Sequence, residues 1–576
     1  MAKSDEQAGS SNLRIDVLGT VITISSDEDP EYLNKLLDKY RKTIEKVQNI
    51  SGLKDPLKTA VLTGFLLCDD LEKAGTTAAS EKREETGEAE KLTLGMISRL
   101  DELVSVDEAP GTLHDVREHM DAEEEAPADE SSSIAPLQAS YEEYKEKFPA
   151  FFKLENTVKN YEWGSTEWLP ALIGQRNLSR IPWAELWMGV NPAGPSRVVI
   201  SAEGNNNNPS ILPLSELINR EKEFFLGKET AETYGTLPFL FKVIAAEKPL
   251  SIQVHPNLEQ AREGFERENQ AGIPLDSSKR NYKNPNHKPE IICALDPFAA
   301  LCGFRELSEI SVLIGNLSSG INSQETDTDR ILKASLGNLV SALGAEEENP
   351  YEAFLTELFC MGNEERMALG PYIKKHMPRL ERDFPEYRDE WELCSYFASL
   401  YPGDPGILAP LYLNILELNA GEAIYLPAGI FHSYIHGMGI ELMADSDNVL
   451  RGGLTPKHVD PDELLRVLSF TGFKPEIIKN QNPLSSLFTY PTPSREFALS
   501  AVSCTGEEPL PLAETGPSIA IVTQGTALVT ESEGGTSTII QKGESIFIPA
   551  GKKSRLSFSG TFTAYVASIG VTGHIS

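Results

Sequence analysis

The 576-residue sequence is short of three things: paired cysteines, long apolar runs and positive charge. Its six cysteines, Cys68, Cys293, Cys302, Cys360, Cys394 and Cys504, are widely scattered and form no C-x-x-C pair. That pattern excludes a disulfide framework and reads as reduced thiols of a cytoplasmic protein, most of them filling cores. No run reaches the roughly 18 apolar residues of a membrane span, and the opening "MAKSDEQAGSSNLRIDVLG" has no apolar core for a signal peptide. Lysine and arginine number 52 against 86 aspartates and glutamates, a formal charge of −34. So acidic a surface excludes a general nucleic-acid binder, which needs a basic face to displace counterions from phosphates. It leaves room for a small anionic substrate, because a local cluster of Lys and Arg overrides the global sign. Histidine is scarce too, with nine in the whole chain.

At roughly 150 residues per domain, the length implies three or four domains. The N-terminal region opens on "LRIDVLG" and "VITISS", which alternate apolar and polar residues around Gly19 and Thr20 and predict a hairpin. Asp27 to Asp29 and Pro30 then start a helix, with acidic groups complementing its dipole. Tyr32, Leu33, Leu36, Leu37, Tyr40, Ile44, Val47 and Ile50 give that helix one apolar face. A second helix, "DPLKTAVLTGFLLCDDLEKA", is apolar around much of its circumference and predicts cover from another chain. This order of elements resembles ZapA, the bacterial cell-division protein, over about residues 10–75. The resemblance implies a small α+β head, homo-oligomerisation and contact with the tubulin-like Z-ring.

A short amphipathic helix is predicted in "EKLTLGMISRLDELVSV", closing a head of 10–103. Carboxylates, Ala, Ser and Pro dominate 104–140, centred on "DAEEEAPADESSS". Such a segment cannot bury enough apolar area to offset chain entropy and reads as a disordered acidic linker. Strand patterns then recur in "SRVVIS", "PFLFKVIAA", "LSIQVHP" and "EIICAL". Helical periodicity follows to about residue 400, in "DRILKASLGNLVSALGA", "NPYEAFLTELFCMG" and "GPYIKKHMPRLERDF", and strands return from "LYLNILEL". "AGEAIYLPAG" and "KGESIFIPAG" form an internal repeat. A β-barrel used twice, with helices inserted in the first copy, accounts for this order.

The chemistry concentrates in three segments. In "PLSIQVHPN", Gln253 and His255 are two apart and share a strand face. In "NHKPE", Lys288 and Glu290 are two apart, with Pro289 favouring an extended backbone. In "GIFHSYIHG", His432 and Tyr434 share a face. Two imidazoles, a carboxylate and an amide oxygen suit zinc, and such a site keeps a net positive charge, a good Lewis acid for a sugar carbonyl or enediolate. The same histidines also fit plain hydrogen-bonding roles at strand ends.

The motifs "VKNYEWGS", "PFLFKVIAAEKPLSIQVHPN", "NHKPEIICALDPFAALCGFRE" and "GEAIYLPAGIFHSYIHGMGIELMADSDNVLRGGLTPKHVD" closely resemble type I phosphomannose isomerase, over about residues 150–576. The resemblance implies a multidomain, mainly β chain of cupin (jelly-roll) barrels with an inserted helical domain. Its catalytic barrel takes 150–302 with 408–480, its helices 303–407, and a second barrel without metal 481–576. It implies interconversion of mannose 6-phosphate and fructose 6-phosphate with one zinc, held by Gln253, His255, Glu290 and His432. Arg451 matches the family's catalytic arginine. Trp163, Ser251, Lys288, Tyr434, Glu441, Asp447 and Lys457 match other active-site positions, and His287 the histidine before the family's lysine. Lys288, Ser251, Lys457 and Arg451 are candidates to hold the phosphate. The base lies among His287, Asp447, Glu441 and Lys288, with His287 and Asp447 the working choice. Gly429 and Ile430 stand where family members often carry polar residues. Two other readings remain at this point: a catalytically silent sugar-phosphate-binding cupin, and a scaffold recruited to the division ring by its head.

Overall fold

The computed structural model describes residues 11–17, 20–26, 37, 39–44, 148–200, 210–319, 326–344, 349–482, 485–511, 516–532 and 537–570. The chain divides into two compact units, Met1–Ser133 and Ile134–Ser576. In the first, strands Ser11–Val17 and Thr20–Ser26 pair antiparallel, with Ile15 opposite Ile22 and Val17 opposite Thr20. Residues 39–44 are helical, and Leu37 and Ile44 are buried. The second expected helix, the short amphipathic one and the acidic linker lie outside the described residues.

The second unit is built on two large antiparallel sheets with helices beside them. The ten-stranded sheet is organised by the strand His432–Ala444. Phe239–Ala246 pairs along one side of it, and Glu290–Ala294 and Phe298–Phe304 pair along the other. All eight residues of Phe239–Ala246, "FLFKVIAA", are buried, as expected of an aromatic and β-branched run covered on both faces. Lys242 is the one charge in it. The short strand Ile252–Val254 bridges the far end, pairing Gln253 with both His432 and Arg451.

The nine-stranded sheet holds the C-terminal strands Ala498–Pro511, Ser518–Glu531, Ser545–Ile548 and Leu556–Ser568. It also takes Phe152–Glu155, Arg197–Ile200 and Ser210–Pro213, so the expected boundary at 480/481 does not separate the sheets. Phe152 accounts for the crossing. It is buried opposite Phe547, and Lys153 on its other side reaches Glu544 at 2.9 Å.

The repeated phrase becomes a repeated turn. Gly421 and Gly543 both sit at φ +84°, where a side chain is strained, and the next glutamate caps its own turn. Glu422 accepts from Asn419 N at 2.9 Å and Glu544 from Gln541 N at 2.7 Å. Each turn feeds a buried strand, Ala423–Leu426 in one sheet and Ser545–Ile548 in the other.

Between the strands Phe298–Phe304 and Leu413–Leu418 lies a helical body: Leu307–Ser318, Asp327–Ala342, Pro350–Cys360, Asn363–Asp383 and Arg388–Leu400. Apolar faces at helical spacing meet in one core with Leu332, Leu336, Phe354, Trp391 and Phe397 at its centre. Thr326 and Asp329 form a capping box at the start of the second helix. Cys293, Cys302, Cys394 and Cys504 are buried and unpaired, and Cys360 is exposed. No helix among the described residues is long and apolar enough to cross a membrane.

Candidate metal centre and active-site cavity

His255, Glu290 and His432 converge from three segments, and their side-chain donors lie within 4.8 Å of one another, all buried. Each stands at a strand end. Glu290 and His432 open their strands, and His255 lies just past Ile252–Val254 rather than within the expected strand. His255 Nδ1 donates to Asn448 O at 2.8 Å and His432 Nδ1 donates to Ile430 O at 3.0 Å. Both rings therefore present Nε2 lone pairs inward, the orientation that backbone carbonyls commonly impose on metal-binding histidines. There they meet Glu290. Its Oε1 is 3.0 Å from His432 Nε2 and its Oε2 is 3.5 Å from His255 Nε2. Lone pairs facing a carboxylate at that range need a cation between them. Lys288 Nζ stands 3.0 Å from both His255 Nε2 and Glu290 Oε2. That ion pair is not a hydrogen bond, and the buried Oε2 accepts none. An inward nitrogen pair, an unsatisfied buried carboxylate oxygen and Gln253 alongside fit a divalent metal.

Electrostatics agree with a neutral His255 and an ionised Glu290. Burial, then Lys288, holds the His255 imidazole well below its ordinary pKa and so neutral. Burial opposes ionisation of Glu290, but Lys288, His255 and His432 together hold its carboxyl well below the usual range. Tyr434 is buried and donates to Glu290 Oε1 at 3.1 Å, and burial, then Glu290 and Glu441, raise its pKa and keep the proton in place. Gly429, at φ +82°, donates its N–H to His255 O at 2.9 Å. Ile430 supplies the carbonyl that orients His432. These two departures in "LPAGIFHSY" thus act on the metal centre through backbone atoms.

The centre opens into a cavity of ≈860 Å³. Gln253, Lys288, Glu290, His432, Tyr434, Glu441, Asp447, Arg451, Ser251, Trp163 and Lys457 all line it. The structure therefore brings together every expected site residue except two. His255 closes the centre from behind. His287 is not part of the cavity wall: its Nε2 lies 2.8 Å from Glu496 Oε1, with Ser494 Oγ donating to the same carboxylate at 2.8 Å. The geometry thus parts the two working bases, leaving Asp447 at the cavity.

Several cavity residues escape a reading by motif. Lys159, Lys242 and Lys248 join Lys288, Arg451 and Lys457, so six cations face five carboxylates (Glu162, Glu185, Glu290, Glu441 and Asp447) in the cavity of an acidic chain. Burial alone would discharge Lys242, but Glu185 and Glu441 raise its pKa above the ordinary value. Its Nζ is 2.9 Å from Glu441 and 3.6 Å from Glu185, and Glu185 also accepts from Trp187 Nε1. The signal was present as a lone lysine in an apolar run, but spacing named no partner. Lys242→Met would leave two carboxylates buried without their cation and should cost about 3 kcal/mol of stability in urea unfolding. Adding Glu441→Gln should recover part of it.

At the mouth, Tyr161 stacks on Trp163 with centroids 5.7 Å apart, and Lys457 Nζ stands 5.7 Å over the Tyr161 ring. Burial lowers the pKa of Arg451, opposed by Tyr161. Asp447 Oδ2 accepts from Asn191 Nδ2 at 3.4 Å, while Asp445 takes the shorter bond at 2.8 Å. Asp447 is thus only loosely held.

A family model described as phosphomannose isomerase type I, catalytic domain, matches residues 151–307, and one described as cell division protein ZapA matches 13–105. The chain is 38% identical over 400 residues to the mannose-6-phosphate isomerase of Escherichia coli (strain K12), covering 69% of this chain and 94% of that one. It is 32% identical over 429 residues to the human mannose-6-phosphate isomerase, covering 71% and 96%. Among solved structures, the mannose 6-phosphate isomerase of Salmonella typhimurium bound to fructose 6-phosphate and zinc superposes with a TM-score of 0.64 at 33% identity. It covers 73% of this chain and all of that one.

Proposed function

The chain belongs to the type I phosphomannose isomerase family, and on that premise we propose a zinc-dependent isomerase interconverting D-mannose 6-phosphate and D-fructose 6-phosphate. The observation that carries this reading is the buried His255, Glu290 and His432 group opening into a cavity that Arg451, Lys288 and Lys457 line. Gln253, His255, Glu290 and His432 hold the zinc. Bound there, zinc would supply Lewis-acid chemistry to a sugar carbonyl or enediolate.

The reaction moves a proton between C2 and C1 and a hydrogen between O2 and O1, so it needs a base at carbon and a fixed cation for the enediolate. Asp447 is assigned the proton transfer, because its carboxylate lines the cavity and is only loosely held. Arg451 supplies the protein's own cation. Lys288 serves the sugar oxygens beside the metal centre. Glu441, paired to Lys242, keeps that lysine charged and in place. Lys457 and Ser251 take the phosphate, and Trp163 with Tyr161 forms the platform under the sugar. Tyr434 fixes Glu290. His287 is assigned to anchoring "NHKPE" through Glu496 rather than to proton transfer. Asp447→Asn should lower turnover on the order of 10²–10⁴-fold with zinc retained, while His287→Gln keeps most of it. The reverse pattern in a steady-state assay would exchange the two roles.

The barrel and insert boundaries given above remain our reading of the second unit, a catalytic and a metal-free cupin barrel flanking a helical insert. For the first unit we propose an α+β head that associates with a second copy of this chain. The match to a cell-division family and the apolar second helix support that reading, and contact with the division ring rests on the match alone. Removing residues 1–140 should lower the solution mass in light scattering to that of the single truncated chain; an unchanged oligomer would remove this role.

A further inference from the structure

Resting on the reading that Arg451 and Lys457 hold the anionic parts of the substrate, we propose that Asp404 is a positioning residue for the loop that carries both. It is a half-buried carboxylate supplied by the helical body.

Asp404 follows the helix Arg388–Leu400 and caps the short 3-10 turn Pro405–Leu408. Its Oδ1 accepts from Gly406 N at 2.7 Å, and its Oδ2 reaches across to accept from Thr455 N at 3.2 Å. Its own N–H donates to Tyr401 O at 3.1 Å, and Tyr401 Oη donates to Pro249 O at 3.1 Å. One turn of chain thus grips both the segment leading to Gln253 and the loop after Arg451.

That loop needs gripping. Leu454 is buried at φ +53°, and among the described residues only Arg180 shares a left-handed backbone without being glycine. Such a conformation persists where neighbours over-determine it. Gly453 is at φ +141°, and a Cβ there would stand 2.7 Å from Asp404 Oδ1 and 2.9 Å from Gly406 Cα. The strand register against Ile252–Val254 shifts between Arg451 and Gly453. A bulge of that kind re-aims the side chain beside it, so the direction of Arg451 depends on what holds the chain immediately after it. Behind the loop, a second cavity of ≈340 Å³ is lined by Arg366, Asp404, Gly453 and Thr455, and Thr455 faces the first cavity as well. The loop has space to fall back into when the carboxylate is removed.

Asp404→Asn keeps the size but turns one acceptor into a donor facing an N–H. It should keep one zinc per chain, lower kcat for mannose 6-phosphate about tenfold or more through the displaced Arg451, and raise the Kd for fructose 6-phosphate through the displaced Lys457, as misplacement of such groups does. In an Arg451→Ala background the same exchange should add less than about half of that loss on a logarithmic scale, since coupled residues are not additive. Gly453→Ala, which pushes the loop off the carboxylate from the other side, carries the test if Asp404→Asn does not fold, and should show the same dependence on Arg451. A folded, zinc-loaded variant with wild-type kcat and Kd, or a loss of kcat that adds in full to that of Arg451→Ala, overturns the proposal. Wild-type behaviour of Arg451→Ala itself would overturn the underlying reading and this inference with it.

Discussion

His255→Ala should give a folded protein that loses its zinc on gel filtration and turns over mannose 6-phosphate on the order of 10³-fold more slowly, the loss expected when several kcal/mol of Lewis-acid stabilisation go. The fold survives because His255 ties to Gly429 through its backbone carbonyl, which alanine keeps. Glu290 is also not abandoned, since Lys288, Tyr434 and His432 remain within 3.1 Å of its oxygens. Metal analysis and turnover, measured on the same preparation, check this. A zinc-replete His255→Ala protein would move the metal elsewhere.

Arg451→Ala is the complementary case. Zinc should remain at one per chain while kcat falls by roughly 10²–10³, the usual cost of losing one fixed group that stabilises developing negative charge. Arg451 pairs through its backbone with Gln253, and a side-chain truncation leaves that pairing intact. Arg451→Lys should recover little, because a lysine lacks the planar fork that meets two oxygens at once. Separate measurement of kcat, KM and zinc content distinguishes this variant from His255→Ala, in which metal and rate fall together.

What was legible in the sequence was whatever a residue and its near neighbours encode together. Gln253 and His255, Lys288 and Glu290, and His432 and Tyr434 each stood as pairs two apart, and the structure gathers all six at one centre. The glutamate of each "GE" turn was legible as a repeat because its hydrogen bond closes within three residues. What was not legible depends on distant partners. His287 looked like a base by its place beside Lys288, yet its ring is engaged by Glu496, 209 positions on. Asp404 sits in a Pro-Gly turn with nothing catalytic near it, and the N–H it accepts is 51 positions away. The carbonyls of Asn448 and Ile430, which orient the two histidines, belong to the backbone and leave no side-chain mark. The strand pairing that joins the two halves of the second unit was hidden for the same reason: Phe152 and Phe547 meet across nearly the whole of it.

The most direct test of the zinc-isomerase reading is a coupled assay of the purified full-length protein with mannose 6-phosphate, run before chelation, after it, and after zinc is restored. A zinc isomerase should show turnover that chelation abolishes and zinc returns. A folded, zinc-loaded protein that binds fructose 6-phosphate but produces none from mannose 6-phosphate would contradict that reading.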